Sequence, residues 1–517
     1  MGGPPVRADR IRRYVVAFCP RCHEENPALP LQEVARLSGY LSEQDGRVWL
    51  VRGCPKHGRI ATLYQQDAAI LDYLEEWTAP TKRHTPDTPG NFDPVPACYA
   101  RGLGEMQTQH TCILLADVTD SCDLRCPTCF ASGSPDLEGF ADVSEVLAAV
   151  DRRISLEDGY LDVLMVSGGE PTLHPKLTDL LERAMERNIT RILLNTNGIS
   201  IARDDALLSF LERHNQRLEV YLQHDGFREA THRFHRGGDL RDIKQRALGR
   251  LSDAGVFTTL VMTARAGVND DEIGDVVRLA LDTAFVGGLC IQPAFGSGRG
   301  ARIDSGDRLT STGVLRRLGP QTSDVITWRD LTALPCSHPH CAAVGYMFRM
   351  DDGAWRSLTG LIGHDQLKAN LGLVSNRMLD PDLSDELQTL AKESLMGLLS
   401  EQSSLTHPAI RRMLSVVDGA CDLGMGGLLR RAGSALGGRR KLREMLARRV
   451  KRITVKPFMD LDTMIEERLL QCCVHVATTG SCGPQAIPFC AAQAWPGLGA
   501  MKFGTAAGPA LRQATVL

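Results

Sequence analysis

The chain has 517 residues, 43% of them hydrophobic, with a formal net charge of -3 and a pI near 6.5. That length leaves room for roughly two to four domains and a sizeable core, and the near-neutral charge gives no general pull toward nucleic acid. The opening "MGGPPVRADRIRRYVVAFCPRC" carries no apolar signal stretch and no run reaches the roughly 18 apolar residues of a membrane span, so a cytoplasmic protein is expected.

Sixteen cysteines are the informative excess. In a reducing compartment they point to metal binding or catalysis rather than to a disulfide framework. Residues 1–77 form a first unit, with "CPRC" at Cys19 and Cys22, the strand-like "RVWLVRG", and "CPKH" at Cys54 and His57. Two such knuckles suit one tetrahedral zinc or rubredoxin-like iron ion, stapling a small domain with little core of its own. A Pro-rich linker is expected over 78–111, extended across the surface. From 112 to 325 apolar runs such as "CILLADV", "LDVLMVSG", "RILLNTNG", "LEVYLQHDG", "FTTLVMTA" and "GLCIQPA" alternate with helix-like segments such as "PKLTDLLERAMERN". Six alternations predict an α/β fold, a parallel sheet with its helices outside and its chemistry just beyond the strand ends. Isolated Cys290 and Cys421 read as small buried hydrophobes.

The stretch "DVTDSCDLRCPTCF" places Cys122, Cys126 and Cys129 in one loop after the first of these strands. A 4Fe–4S cube has four iron corners, so three thiolates leave one open; the alternative is a zinc site with a distant fourth ligand. At the second strand's end stands "VSGGEP", with Gly168, Gly169 and Glu170. Glycines there let backbone approach closely, and Glu170 offers acceptors for an ammonium group. Further strand ends carry Asn197, Gln223 and Asp225, then Thr263, Val268 and Gln292. Each of these polar residues fits a plain helix cap or turn.

Residues 326–517 form a C-terminal region in which the alternation stops. A helix-rich stretch leads into "RRKLREMLARRVKRITVKPF", where Arg430, Arg431, Arg439, Arg440, Lys441, Arg443, Arg448, Arg449, Lys451 and Arg452 are interleaved with apolar residues. Such a stretch is either a solvated helix face or a peripheral contact with an anionic membrane. "LPCSHPHC" supplies Cys336 and Cys341, and "QCCVHV" with "PFC" supplies Cys472, Cys473 and Cys490. The expected auxiliary 4Fe–4S set is Cys336, Cys341, Cys473 and Cys490, with Cys472 as substitute and Cys482 as a spare. Buried unligated cysteines are the other reading.

Taken with "VSGGEP", the C-x3-C-x2-C triplet followed by Phe130 resembles the radical S-adenosylmethionine (SAM) superfamily. The resemblance implies that SAM chelates the open iron and is cleaved reductively to a 5′-deoxyadenosyl radical that takes hydrogen from substrate. It implies a partial (β/α)6 barrel and an electron donor such as flavodoxin or ferredoxin. It also implies ribose or substrate contacts for Asn197, Gln223 and Asp225, and an adenine pocket around Thr263, Val268 and Gln292. The order of knuckle, linker, "QHTC", triplet, "YLQHDG", "LPCSHPHC" and C-terminal cysteines is similar to the archaeal tetraether lipid synthase family and its bacterial relatives, formerly read as pterin methyltransferases. That likeness favours iron in the knuckle and implies radical carbon–carbon coupling of lipid chains. One departure stands out: where the family carries a G-C-P-Y-D-C-G-L-C-P group, this chain has Ala97, Arg101 and Gly104, with Cys98 one place out of step. A further auxiliary cluster is therefore not expected there. Two other functions remain open, radical C-methylation of a pterin-like or other small molecule and a non-enzymatic iron–sulfur protein.

Overall fold

The computed structural model describes residues 10–26, 35–77, 110–157, 159–300, 306–334, 337–350, 352–369, 447–477 and 487–495. The expected linker over 78–109, most of the helix-rich stretch with Cys421 and the arginines up to Arg443, and Cys98, Cys336 and Cys482 lie outside them.

The first unit is a four-stranded antiparallel sheet of β1 (Arg10–Phe18), β2 (Arg36–Gln44), β3 (Arg47–Cys54) and β4 (Gly58–Gln65) in chain order. Asp45 and Gly46, both at positive φ, close the β2–β3 hairpin, the conformation a two-residue turn requires.

The second sheet has twelve strands. Its centre is β5 (Ile113–Asp117), β6 (Leu161–Ser167), β7 (Ile189–Thr196), β8 (Leu218–Gln223), β9 (Thr258–Ala264) and β10 (Val286–Pro293), each parallel to the next in chain order. These are the six strands expected from the sequence, and the sheet curls into a half-barrel. Side-chain alternation sorts its two faces: Leu114, Ala116 and Val118 pack outward against the helices, whereas Leu115, Val163, Met165 and Leu193 face the barrel interior. The helix Leu177–Met185 buries Leu177, Leu180, Leu181 and Ala184, the one-sided spacing that seats a helix on a sheet.

The region after residue 326 is continuous with this sheet rather than a separate layer. β11 (Thr332–Ala333), β12 (Ala343–Arg349), β13 (Trp355–Ser357) and β14 (Val450–Val455) extend the β10 edge, and β15 (Val474–Val476) with β16 (Ile487–Pro488) extends the β5 edge. The reading of Lys451 and Arg452 as part of a basic helix is corrected here. "VKRITV" alternates with a period of two and is rich in β-branched residues, so it joins β10 in parallel. Lys451 is fully buried, and its Nζ donates to the carbonyls of Thr283, Val286 and Ala447 at 2.6–2.8 Å.

The first unit is clasped by the C-terminal segment. Ala17 bridges Ile465, Arg36 pairs with Glu466, Arg52 donates to the Asp462 carbonyl at 2.9 Å, and Phe18 meets Trp495 edge-on. On its other side Gln65 and Gln66 bond to Thr310, Ser311 and Thr312 at the start of the helix Ser311–Thr322. Among the described residues no helix is long and apolar enough to cross a membrane. Replacing Lys451 by Met should strand three buried carbonyls and cost about 2–4 kcal/mol, read as a lower denaturant midpoint. An unchanged midpoint would show that the ammonium group is not what anchors β14.

Candidate active site and metal centres

The triplet lies beyond the C-terminal end of β5, with Cys122 and Cys126 buried and Cys129 half-buried. Its loop is held by the neighbouring Gly-Gly turn at the end of β6. Gly169 N–H donates to the Thr119 carbonyl at 2.6 Å and Glu170 N–H to the Ser121 carbonyl at 2.7 Å. A Cβ on Gly168 would overlap Thr119 O, and one on Gly169 would overlap Ser121 O. The close approach that these glycines permit is thus to the cluster loop itself.

Glu170 is 1% exposed and all its acceptor capacity faces the chain. Oε1 accepts from Thr172 N–H, Thr172 Oγ1 and Thr196 Oγ1, and Oε2 accepts from Asn197 N–H at 2.7 Å. Burial pushes its carboxyl above the usual range while these donors pull it back. These bonds tie the turn to the end of β7. Asn197 braces as well: its Nδ2 donates to Asp123 in the triplet loop at 2.6 Å.

Asp225 is fully buried and accepts from Arg236 through both oxygens, at 2.6 and 2.8 Å, and from Thr263 N–H at 3.0 Å. Despite burial, Arg236 and His235 hold its carboxyl well below the ordinary range. Arg236 also donates to Gln223 at 2.9 Å, and its positive charge opposes the rise that burial imposes on the Cys126 thiol. Gln223 Nε2 continues to Asn195, and Asn195 Nδ2 to Ser167, so a polar belt crosses three strands inside the barrel. Gln292 pairs with Thr263 across β9 and β10 and donates to Tyr221. Val268 lies in the turn after β9, its carbonyl accepting from Arg228.

Sequence reasoning missed Arg236, Lys244 and Arg299. Lys244 is fully buried and donates to the Asn197 carbonyl; burial lowers it to about 8. Arg299 reaches back from the end of β10 to the carbonyls of Cys126 and Gly133, and its N–H to that of Cys129. Nothing in the sequence near these residues marks them, because each acts on a loop far away in the chain.

Burial first, and then nearby negative charge, pushes Cys122 up to about 12 and raises Cys126, so both thiolates need local positive charge. Iron supplies it. At least one pair of the triplet's sulfurs stands more than 4.8 Å apart, wider than the edge of a single tetrahedral zinc site. The knuckle is the opposite case. Nδ1 of His57 lies 3.4–3.5 Å from the sulfurs of Cys19, Cys22 and Cys54, and Cys22 lies 3.6 Å from Cys54. Tetrahedral zinc with its usual bond lengths has S···N edges of about 3.6 Å and S···S edges of about 3.8 Å. Glu25 holds the far ring nitrogen at 3.0 Å, the outer support typical of a metal-bound histidine.

Of the auxiliary cysteines, Cys473 and Cys490 share one buried cluster with Cys472 packed against it. Burial and then Cys490, Cys473 and Cys341 raise the Cys472 thiol. Three of these sulfurs accept hydrogen bonds: Cys341 from Arg468 at 3.3 Å, Cys490 from Met459 N–H at 3.3 Å and Cys472 from Val474 N–H at 3.4 Å.

Two family profiles match the chain, one described as the radical SAM superfamily at residues 117–280 and one as the HMPTM N-terminal zinc ribbon domain at residues 11–66. A 7,8-dihydro-6-hydroxymethylpterin dimethyltransferase of Methanocaldococcus jannaschii is 25% identical over 93% of both chains. A GTP 3′,8-cyclase of Alkaliphilus oremlandii is 30% identical over 32% of this chain and about half of its own length (51%). The structure of a radical SAM methyltransferase from Sphaerobacter thermophilus is 14% identical, covers 56% of this chain and 74% of its own, and has a TM-score of 0.32.

Gly169→Ala should cut the iron and sulfide retained at the triplet severalfold, because the new methyl group displaces Ser121 and the loop with it. Full iron and sulfide content in that variant would show that the turn tolerates a side chain. Cys54→Ser should remove one mononuclear ion per chain while leaving the triplet's iron in place, as counted by elemental analysis.

Proposed function

We propose, on the premise that this chain is a radical SAM enzyme, that it forms a carbon–carbon bond at an unactivated carbon, with a lipid chain as substrate. Cys122, Cys126 and Cys129 would hold the 4Fe–4S cluster. When bound, that cluster supplies the electron that splits SAM and so releases the hydrogen-abstracting 5′-deoxyadenosyl radical. The chain's part is to hold and shield. Gly168 and Gly169 let the loop lie flat on the end of β6, with Glu170 and Asn197 bracing it. Gln223, Thr263 and Gln292 present polar groups on the barrel's inner wall for the nucleoside, and Asp225 keeps Arg236 aimed at Cys126. A small reductant protein such as a flavodoxin or ferredoxin would supply the electron. Cys341, Cys472, Cys473 and Cys490 are the described candidates for an auxiliary cluster, with Cys336 as the further one from the sequence.

The lipid reading rests on what surrounds the triplet. Phe130, directly after Cys129, stacks on Phe295 and Phe489, and Phe458 packs against both. Met459, Leu461 and Trp495 continue this apolar interior. A hydrocarbon chain beside such walls leaves no buried polar group unpaired, whereas a pterin ring brings several. A second reading, radical C-methylation of a pterin-like molecule, draws on the likeness to the M. jannaschii dimethyltransferase along 93% of both chains.

Anaerobic reconstitution with SAM, a reductant and lipid extract separates the two. Coupling should give deoxyadenosine and lipids joined end to end by mass spectrometry; methylation should give deoxyadenosine together with S-adenosylhomocysteine. Cys126→Ala should yield neither. SAM cleavage at the wild-type rate by that variant would remove the triplet from the mechanism, and an unaltered lipid profile would shift the substrate to the small-molecule class.

A further inference from the structure

One cluster of donors stands outside the centres described so far. His110, Cys112 and Asp162 bring a ring nitrogen, a sulfur and a carboxylate oxygen within 4.8 Å of one another. His110 is buried, Cys112 is half-buried, and the Asp162 side chain is 30% exposed. One atom is the focus: Nε2 of His110 lies 3.2 Å from Cys112 Sγ and 3.6 Å from Asp162 Oδ2.

We infer that His110, Cys112 and Asp162 bind a mononuclear divalent d-block cation, zinc by donor type. Tetrahedral zinc sets S···N edges of about 3.6 Å and N···O edges of about 3.3 Å, and the observed 3.2 Å and 3.6 Å each lie within about 0.4 Å of their own edge. The knuckle provides an internal standard, since there too a single ring nitrogen sits 3.4–3.5 Å from several ligand atoms. A simple hydrogen bond fits less well, because one nitrogen carries one proton or one lone pair and here faces both a cysteine sulfur and a carboxylate oxygen.

The backbone prepares this convergence. Thr111 N–H donates to Glu157 Oε1 at 3.0 Å, and Thr111 Oγ1 lies 2.9 Å from His475 Nδ1. With Thr111 pinned, its neighbours at 110 and 112 turn the same way, as alternate residues of extended chain do. Asp162 comes from β6, one residue before the Val163 that pairs with Ile113. The site therefore ties the start of β5 to β6 at the barrel end opposite the triplet, separated from it by the length of a five-residue strand, roughly 17 Å. Cys112 and Ile113 N–H both donate to the Cys473 carbonyl, at 2.9 and 3.1 Å, so the same tie steadies the backbone at an auxiliary cysteine. Among the described residues no fourth donor joins the group.

The test counts mononuclear ions in the full chain, purified anaerobically and equilibrated with Zn2+ alone. Wild type should hold two zinc ions, Asp162→Asn and Cys112→Ser one each, Cys54→Ser one, and the Cys54→Ser/Asp162→Asn pair none. Cobalt in place of zinc should show thiolate-to-metal absorption that drops to the knuckle's share in both Cys112→Ser and Asp162→Asn. Asp162 is partly exposed and Asn matches its size, so this variant is readable even if Cys112→Ser does not fold. Equal zinc in wild type and Asp162→Asn, with the only loss in Cys54→Ser, would overturn the site and leave a hydrogen-bonded histidine.

Discussion

The contact between two stretches of backbone governs this site. Gly168 and Gly169 lie directly against Thr119–Ser121, with carbonyls and amides exchanged across the gap and no room for a Cβ on either glycine. Because the triplet begins one residue after Ser121, the position of three thiols is set by a turn almost fifty residues later in the chain. Parallel pairing of β5 with β6 brings the turn there, and the glycines let the two segments close. Other braces act on the same loop: Asn197 from β7, His235 and Arg236 from the helix Glu229–Arg236, and Arg299 after β10. A loop of this length with few apolar contacts of its own would otherwise sample many arrangements, and a cluster needs one.

The charges beneath the loop do not serve stability first. Taking Arg236 and Asp225 out of water costs several kcal/mol per ion, and a well-packed apolar pair of the same size would serve the fold as well. Lys244 adds another buried cation nearby. What the arrangement supplies is a fixed positive field at Cys126, which favours the thiolate against burial. Asp225 limits the net charge while its own position is locked by Thr263 N–H.

The six central strands were legible because each is a run of apolar residues followed by a helix with one-sided spacing. The knuckle was legible because its ligands come in two close pairs. What escaped was set by long-range packing. The three residues of β15 and the two of β16 are too short to carry a period, and they are strands because the open edge of β5 needs partners. "VKRITV" was misread as helix because a run of arginines precedes it, although its own alternation says strand. Glu170 was legible by motif but its partners Thr172, Thr196 and Asn197 were not, since a motif names a residue and not its partners. Arg236, Lys244 and Arg299 have no local signature, and Asp162 gains meaning only when β6 aligns with β5.

The clasp explains why the knuckle belongs with the barrel. A four-stranded sheet of this size exposes one face that the helix Ala68–Glu75 cannot cover alone. Ile465 completes the core formed by Val15, Leu41, Val48 and Leu50, and Trp495 covers Phe18. Both come from the C-terminal segment that also carries Cys472, Cys473 and Cys490. Metal in the knuckle fixes Cys19, which follows Phe18 directly, and so fixes the surface on which that segment lands. Binding of one ion at the N-terminal unit is therefore linked through packed side chains to the geometry of cysteines more than 400 residues away. Such linkage requires the two regions to fold as one unit, and the buried Arg52, bonded at once to Thr62 on β4 and to the Asp462 carbonyl, is the polar joint that makes them one.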